Sequence, residues 1–293
     1  MVVYNRKTKE LEQEAEYGEA AINFLYHTVL GRCILKWIVA RPFFSKIRSF
    51  YQKSPRSRKD IVPFIKKYNI DMNGYAKEYD CFHDFFIRKR KIEYTADAHE
   101  LTAVADSKLL VYRIDENLRL DVKHSRYTLQ EIVKKEMNLE PFKNGFCLVF
   151  RLSVSDCHRY HFIDGGEYIQ RYRIKGLLHT VRPISAQYRV FSRNQREVSL
   201  LQTKQLGDVI QVEVGALLVG CIQNHDIKRF AKLEEKGYFE YGGSTIIVFL
   251  QNKVKIDADI LENSKNEIET KVEIGEKIGE VIDCRSEKTE YLL

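Results

Sequence analysis

No Cys-x-x-Cys pair occurs in the sequence. Its six cysteines (Cys33, Cys81, Cys147, Cys157, Cys221 and Cys284) are scattered. That pattern argues against a zinc site or a disulfide framework and suits a reducing compartment. Also missing is any run of roughly 18 to 20 apolar residues, the length a helix needs to span a bilayer. Met1 to Glu10 lacks the apolar core of a signal peptide. There is no G-x-G-x-x-G nucleotide loop, no internal repeat and no low-complexity tract. No nucleic-acid-binding motif is recognisable, so no nucleic-acid partner is expected.

What remains is a chain of 293 residues, 44% hydrophobic and 30% charged, which reads as globular and can bury a sizeable core. Its net charge of +7 points to an anionic partner: a phospholipid surface, nucleic acid or an acidic substrate. Ile22, Leu25, Val29, Cys33 and Trp37 recur at helical spacing, interrupted by Asn23, His27, Arg32, Lys36 and Arg41, and Pro42 ends or kinks the helix. A second amphipathic segment, Phe43 to Tyr51, follows. These segments suit either an interfacial element with its basic residues at anionic head groups, or helices packed on the domain with solvated basic faces. Residues 54–95 read as helical and polar.

Beyond Ala96 short β-rich runs appear: Lys108 to Ile114, Phe146 to Leu152, Arg189 to Phe191, Val209 to Val219, and Thr245 to Leu250. Tyr127 to Met137 reads as a helix, Asp257 to Lys271 as an exposed connection, and Ile278 to Ile282 as a final strand. The expected fold is α+β, a mostly antiparallel β domain over residues 96–293 with an N-terminal amphipathic helical region over residues 1–95.

Three stretches can carry chemistry. Tyr241-Gly242-Gly243-Ser244-Thr245 describes a tight bend feeding the buried strand Ile246 to Leu250, with a serine able to reach the preceding carbonyl. By itself it reads as a hairpin turn entering a strand. Asp156-Cys157-His158-Arg159-Tyr160-His161 follows an apolar strand and holds two imidazoles that can divide proton-transfer labour. Asp156 and Cys157 abut the pair too closely for a familiar metal-ligand spacing. Asp106 precedes a strand, the place of a turn residue or of an aspartate that orients a histidine. The glycines of Val212 to Gly220 and Val272 to Glu280 read as architectural.

Taken in order, these pieces resemble the phosphatidylserine decarboxylase proenzymes. The matching segments are Phe85-Phe86-x-Arg88; Ala105-Asp106; Leu152-Ser153-x-x-Asp156-x-His158-Arg159-x-His161; Lys175-Gly176-x-Leu178-x-x-Val181; Asn194-Gln195-Arg196; Val214-Gly215-Ala216-x-x-Val219-Gly220; and Glu235 to Thr245. The chain departs from the family pattern at Ser107 and Leu233, where glycine is usual, at Val154, where proline is, and at Cys157, where tyrosine is.

The resemblance implies self-cleavage between Gly243 and Ser244 into an associated β chain, residues 1–243, and α chain, residues 244–293. Ser244 would become a pyruvoyl group that forms a Schiff base with the amine of phosphatidylserine, with no pyridoxal phosphate and no metal. Asp106 and His161 would activate Ser244, and His158 would protonate the product carbanion. Spacing alone does not assign the two histidines separately. A lipid substrate favours the interfacial reading of the N-terminal helices, at the cytoplasmic face of the cell membrane. A homo-oligomer is compatible with the pattern. An unprocessed, inactive lipid-binding homologue and a lipoyl-like carrier module are the other readings, and both imply an intact chain.

Overall fold

The structure, a computed structural model, describes residues 1–14, 18–41, 49–90, 97–122, 125–181, 183–217, 221–240 and 244–282. Tyr241, Gly242 and Gly243, most of the segment Phe43 to Tyr51, the expected boundary at residues 95 and 96, and Val219-Gly220 therefore lie outside the described residues.

The chain opens with a hairpin, β1 (Val2–Asn5) and β2 (Glu10–Gln13). Helices α1 (Glu19–His27) and α2 (Val29–Ile34) follow, then a π-helical turn over Leu35–Val39. After α3 (Ile61–Tyr68) and α4 (Phe82–Phe86) the β-rich part starts with β3 (Glu100–Thr102) and β4 (Ser107–Arg113). Next come a hairpin of β5 (Arg119–Val122) and β6 (Ser125–Thr128), helix α5 (Leu129–Val133), and strands β7 (Phe146–Leu152), β8 (Arg159–His161) and β9 (Gly166–Ile174). Helix α6 (Val190–Arg193) leads into β10 (Arg196–Thr203), β11 (Asp208–Val214), β12 (Cys221–Asn224) and β13 (Arg229–Phe230). The chain continues through β14 (Glu235–Glu240), β15 (Ser244–Leu250), β16 (Val254–Ile256), α7 (Ala258–Lys265), β17 (Glu269–Val272) and β18 (Lys277–Val281).

Ten strands form one mixed, mostly antiparallel sheet in the order β13-β9-β10-β11-β15-β7-β4-β17-β1-β2, with only β1 and β17 parallel. Strands β12, β14 and β8 form a small second sheet. Every residue of β7 and β15 is buried, because both faces of these central strands are covered. Ile246, Val248 and Leu250 pack on one face with Tyr160, Ile222 and Phe239 of the small sheet. Ile247 and Phe249 pack on the other, against α5 and α6. The class read from sequence, α+β with a mostly antiparallel sheet, is the one observed.

Several local readings are corrected. Residues 2–13 are strands, not helix: β1 runs beside β17 and so joins the N-terminus to the main sheet. Arg189 has a left-handed backbone (φ 49°), so the apolar residues after it start α6 rather than a strand. Within Asp257 to Lys271 lie α7 and part of β17, held to the core by Ile260 and by Ser264, whose Oγ accepts from the Val111 N–H at 2.9 Å. The helix expected over Tyr127 to Met137 is the short α5, started by a capping box between Thr128 and Glu131. Strand β11 ends at Val214, short of the expected Val219.

The N-terminal helical pattern also changes meaning. Thr28 breaks it, and the buried side chains are Tyr26, Leu35, Val39 and Ala40. Val29 and Trp37, assigned to the same apolar face by spacing, are 73% and 66% exposed. The Tyr26 hydroxyl accepts from Thr180 N–H at 3.0 Å, docking α1 on the loop before α6. No helix among the described residues is long and apolar enough to cross a membrane.

The hairpin is held by charge. Glu14, just after β2, reaches Lys108 Nζ at 2.8 Å and Arg151 Nη2 at 2.7 Å, and Glu269 takes a second Arg151 contact at 2.5 Å. Lys108 and Arg151 are buried and keep Asp156 and Glu269 when Glu14 is neutralised, so each loses one charge-assisted contact. Glu14→Gln is expected to cost about 2 kcal/mol of stability. Urea unfolding of the variant should show an earlier midpoint, and an unmoved midpoint would refute the role given to Glu14.

Candidate active site

Register across the central strands sets the site. Ser244 opens β15 opposite Leu152, the last residue of β7. Arg151 stands opposite both Thr245 and Lys108, so Ser107, the first residue of β4, lies at the same sheet end. Two strand spacings separate Ser107 from Ser244, about 10 Å. Asp106 directly precedes Ser107. The side chain of Ser244 shares the face of Ile246 and Val248 by strand alternation, the face covered by the small sheet. Its Oγ is fully buried and has no hydrogen-bond partner among the described residues.

One connection crosses between the sheets at this end, leading from β7 to β8 and carrying Ser153 to His158. β7 pairs with β15 and β8 with β14, so Glu240 and Ser244 end and begin strands of the same two pairs. The Phe239 N–H donates to the His158 carbonyl at 2.9 Å, tying the histidine turn to β14. Gly237 is required in β14, because a Cβ there would stand 2.1 Å from the Gln223 carbonyl oxygen.

The turn is built by Asp156. Its Oδ2 accepts from Ser153 N–H at 2.7 Å, from Ser153 Oγ at 2.9 Å and from Lys108 Nζ at 2.7 Å. The segment after α4 braids onto the same turn. Arg88 Nη2 donates to the Ser155 carbonyl at 2.7 Å, Cys157 Sγ to the Arg88 carbonyl at 3.2 Å, and Arg159 Nε to the Ile87 carbonyl at 2.7 Å.

His161 is the last residue of β8, and His158 directly precedes that strand. His158 is fully buried, its ring 4.0 Å from that of Phe86. Its Nδ1 lies 2.9 Å from the Asp156 carbonyl; a carbonyl only accepts, so Nδ1 carries the proton and Nε2 is the accepting nitrogen of the neutral ring. His161 instead lines a cavity of about 210 Å³ together with Asp106, Cys157, Leu233 and Glu235. Its N–H donates to the Val104 carbonyl at 2.9 Å, which sets β8 beside the strand end that carries Asp106. Burial pushes the His161 pKa down to about 4, against the weaker pull of Glu235, so the ring is neutral at pH 7.

Burial raises the Asp106 pKa, opposed by the hydrogen bond that Oδ1 accepts from the Ile274 N–H at 2.9 Å. The Tyr75 hydroxyl donates to Oδ2 at 3.4 Å. One cavity wall carries a neutral imidazole, His161, and a carboxylate, Asp106, held at Oδ1 by the Ile274 N–H. The structure thus gathers Asp106, His158, His161 and Ser244 at one end of the sheet, while Gly243 lies outside the described residues.

The departures at the two glycine positions have different consequences. Ser107 sits in ordinary strand backbone, so Asp106 does not depend on a glycine after it. Leu233 keeps the left-handed conformation a glycine would take (φ 59°), at a cost of about 1 kcal/mol, and puts a buried side chain on the cavity wall. Sequence reasoning missed Lys108, Tyr75 and Ile274 as supports of the site; the only local signal was Ser-x-x-Asp, the pattern of a side-chain-stabilised turn.

A family model for phosphatidylserine decarboxylase matches residues 80–280. Phosphatidylserine decarboxylase proenzyme 2 of Clostridium acetobutylicum is 50% identical over 97% of this chain and 99% of its own length. The phosphatidylserine decarboxylase proenzyme of Clostridium botulinum strain Alaska E43 is 40% identical over 94% of this chain and 98% of its own. That of Desulfitobacterium hafniense is 38% identical over 94% and 97%.

Proposed function

We propose a function from one premise: the chain belongs to the phosphatidylserine decarboxylase family. It is a precursor that cuts itself between Gly243 and Ser244 and then converts phosphatidylserine to phosphatidylethanolamine and carbon dioxide. The observation that carries the reading is Ser244, a buried hydroxyl unpartnered among the described residues, at the strand end shared with Asp106 and the histidine turn.

In processing, His161 accepts the Ser244 proton while Asp106 orients the ring. Oγ attacks the Gly243 carbonyl, and the amide becomes an ester. Loss of the Ser244 α-proton expels the Gly243 carboxylate and leaves dehydroalanine. Tautomerisation and hydrolysis then release ammonia and leave a pyruvoyl group at residue 244. The site suits that group, because Oγ, which departs with the Gly243 carboxylate, is unpartnered, so its loss sacrifices no hydrogen bond among the described residues. The pyruvoyl group supplies an electrophilic carbonyl for the substrate amine and a sink for the electrons released with carbon dioxide. His158 Nε2 would take up the proton that the substrate ammonium gives up and return it to the carbon that has lost its carboxylate.

The two chains stay together after the cut. Strand β15 sits between β11 and β7, and β17 between β1 and β4, so the shorter chain holds two interior positions of the sheet. The exposed Val29, Leu30, Trp37, Ile38 and Phe50 support the reading of residues 1–95 as a membrane-surface region and residues 96–293 as the decarboxylase domain. The protein would then work as a peripheral enzyme at the cytoplasmic face of the membrane.

The test is denaturing intact mass of the purified protein, followed by assay on phosphatidylserine vesicles. Two chains meeting at residues 243 and 244, co-sedimentation with the vesicles and release of carbon dioxide are expected. A single inert chain that still sediments with the vesicles would instead establish an unprocessed lipid-binding homologue.

A further inference from the structure

The wall of the cavity that holds His161 and Asp106 carries three cations, Lys89, Arg90 and Arg159. Arg159 is engaged: its Nη1 reaches Glu235 at 2.5 Å and its Nε the Ile87 carbonyl at 2.7 Å. Arg90 is held less firmly. Its Nη1 lies 3.3 Å from Glu273, a carboxylate that Lys7 also contacts at 2.5 Å, so one acid serves two cations. The Nε of Arg90 is buried and has no hydrogen-bond partner among the described residues. Lys89 is exposed and makes no ion pair among them. Two adjacent cations therefore line the cavity with donor capacity to spare.

We propose that Lys89 and Arg90 bind the phosphodiester of the substrate head group. The inference rests on the decarboxylase reading above and adds the group that recognises the lipid. The substrate brings two anions, a carboxylate and a phosphodiester, and chemistry separates them. The carboxylate loses its charge as carbon dioxide forms, so a cation bound to it would stabilise the ground state and slow the step. The phosphodiester keeps its charge throughout and can be gripped without that penalty. A guanidinium fork with a free Nε–H matches its paired oxygens, and a lysine at the mouth adds a mobile point charge.

The experiment compares the mature enzyme with Lys89→Gln and Arg90→Gln. The substrates are phosphatidylserine in neutral detergent micelles and a fatty-acyl ester of serine, which keeps the amine and carboxylate but has no phosphate. Neutral micelles remove the attraction of an anionic surface from the comparison. The ratio of kcat/KM for the two substrates should fall about tenfold for each variant, through KM. An equal loss on both substrates would assign the cations to the carboxylate or to the architecture, and an unchanged ratio with full activity would remove them from recognition. Calorimetry with glycerophosphoethanolamine, a soluble phosphodiester without a carboxylate, reads the site without turnover. Wild-type binding that weakens about tenfold in each variant is expected, and equal affinity in all three proteins would overturn the proposal. A wild type that binds this diester but releases no carbon dioxide would sink the decarboxylase reading and leave the phosphodiester site standing.

Discussion

Ser244→Ala is expected to run as one uncut chain of 293 residues, folded and without decarboxylase activity. A methyl group offers no nucleophile for the Gly243 carbonyl and no route to a ketone at residue 244. The fold should survive, because β15 owes its place to ladders with β7 and β11 and to apolar contacts on both faces, none of which uses Oγ. Asp106→Asn and His161→Ala should act on the same step, slowing the cut by about 10² to 10⁴. Intact mass over a refolding or translation time course measures this directly, with circular dichroism to confirm folding. Full cleavage of His161→Ala would overturn its assignment as the base. The pH dependence gives a second reading. Because the His161 pKa lies near 4 rather than 6.5, the ring stays neutral as pH falls through 6. Its failure to bind a proton there should preserve self-cleavage at pH 5.5, where an ordinary histidine would be mostly charged. The same shift makes His161 a source of acid instability: between pH 6.5 and about 4 the unfolded chain takes up a proton that the folded chain refuses.

How much of this was legible in sequence depends on where each residue's partners lie. Phe146 to Leu152 and Thr245 to Leu250 read as strands because each is covered on two faces and so is apolar apart from Arg151 and Thr245. Residues 2–13 were misread because their strand character comes from pairing with β17, some 260 residues away in sequence, and Glu10 and Glu12 carry no apolar alternation. Helix α7 was missed for a related reason: it buries mainly Ile260 and Ser264, too few positions to print a period on a charged stretch. The acid, the two imidazoles and the serine stand out in the sequence because their chemistry is rare and their order is that of a family. Their supports come from afar. Tyr75 and Ile274 meet at Asp106 from opposite ends of the chain, and Lys108 meets Asp156 across the β4–β7 ladder. Neither juxtaposition is a local property of any stretch of sequence.

His158→Ala should separate the two reactions of the site. The variant is expected to cut itself into two chains and yet decarboxylate phosphatidylserine at least 10²-fold more slowly. The reason is geometric. His161 and Asp106 share a cavity, whereas His158 is fully buried with its ring tilted against Phe86 and Nδ1 committed to the Asp156 carbonyl. Self-cleavage needs a base that is neutral at pH 7, which burial makes of His161. Decarboxylation needs an acid to deliver a proton after carbon dioxide has gone, a role open to Nε2 of His158 because the ring is held rigidly by its other nitrogen. Removing the ring also leaves a gap beside Phe86 in a packed aromatic cluster, so a fall in activity alone could come from collapse of the turn. His158→Gln controls for that, since it fills more of the space and offers an amide to the Asp156 carbonyl without an acidic proton. Both variants should cleave fully and both should decarboxylate slowly. If Gln restored turnover, His158 would be a packing residue; if Ala blocked the cut while His161→Ala permitted it, the two histidines would exchange roles.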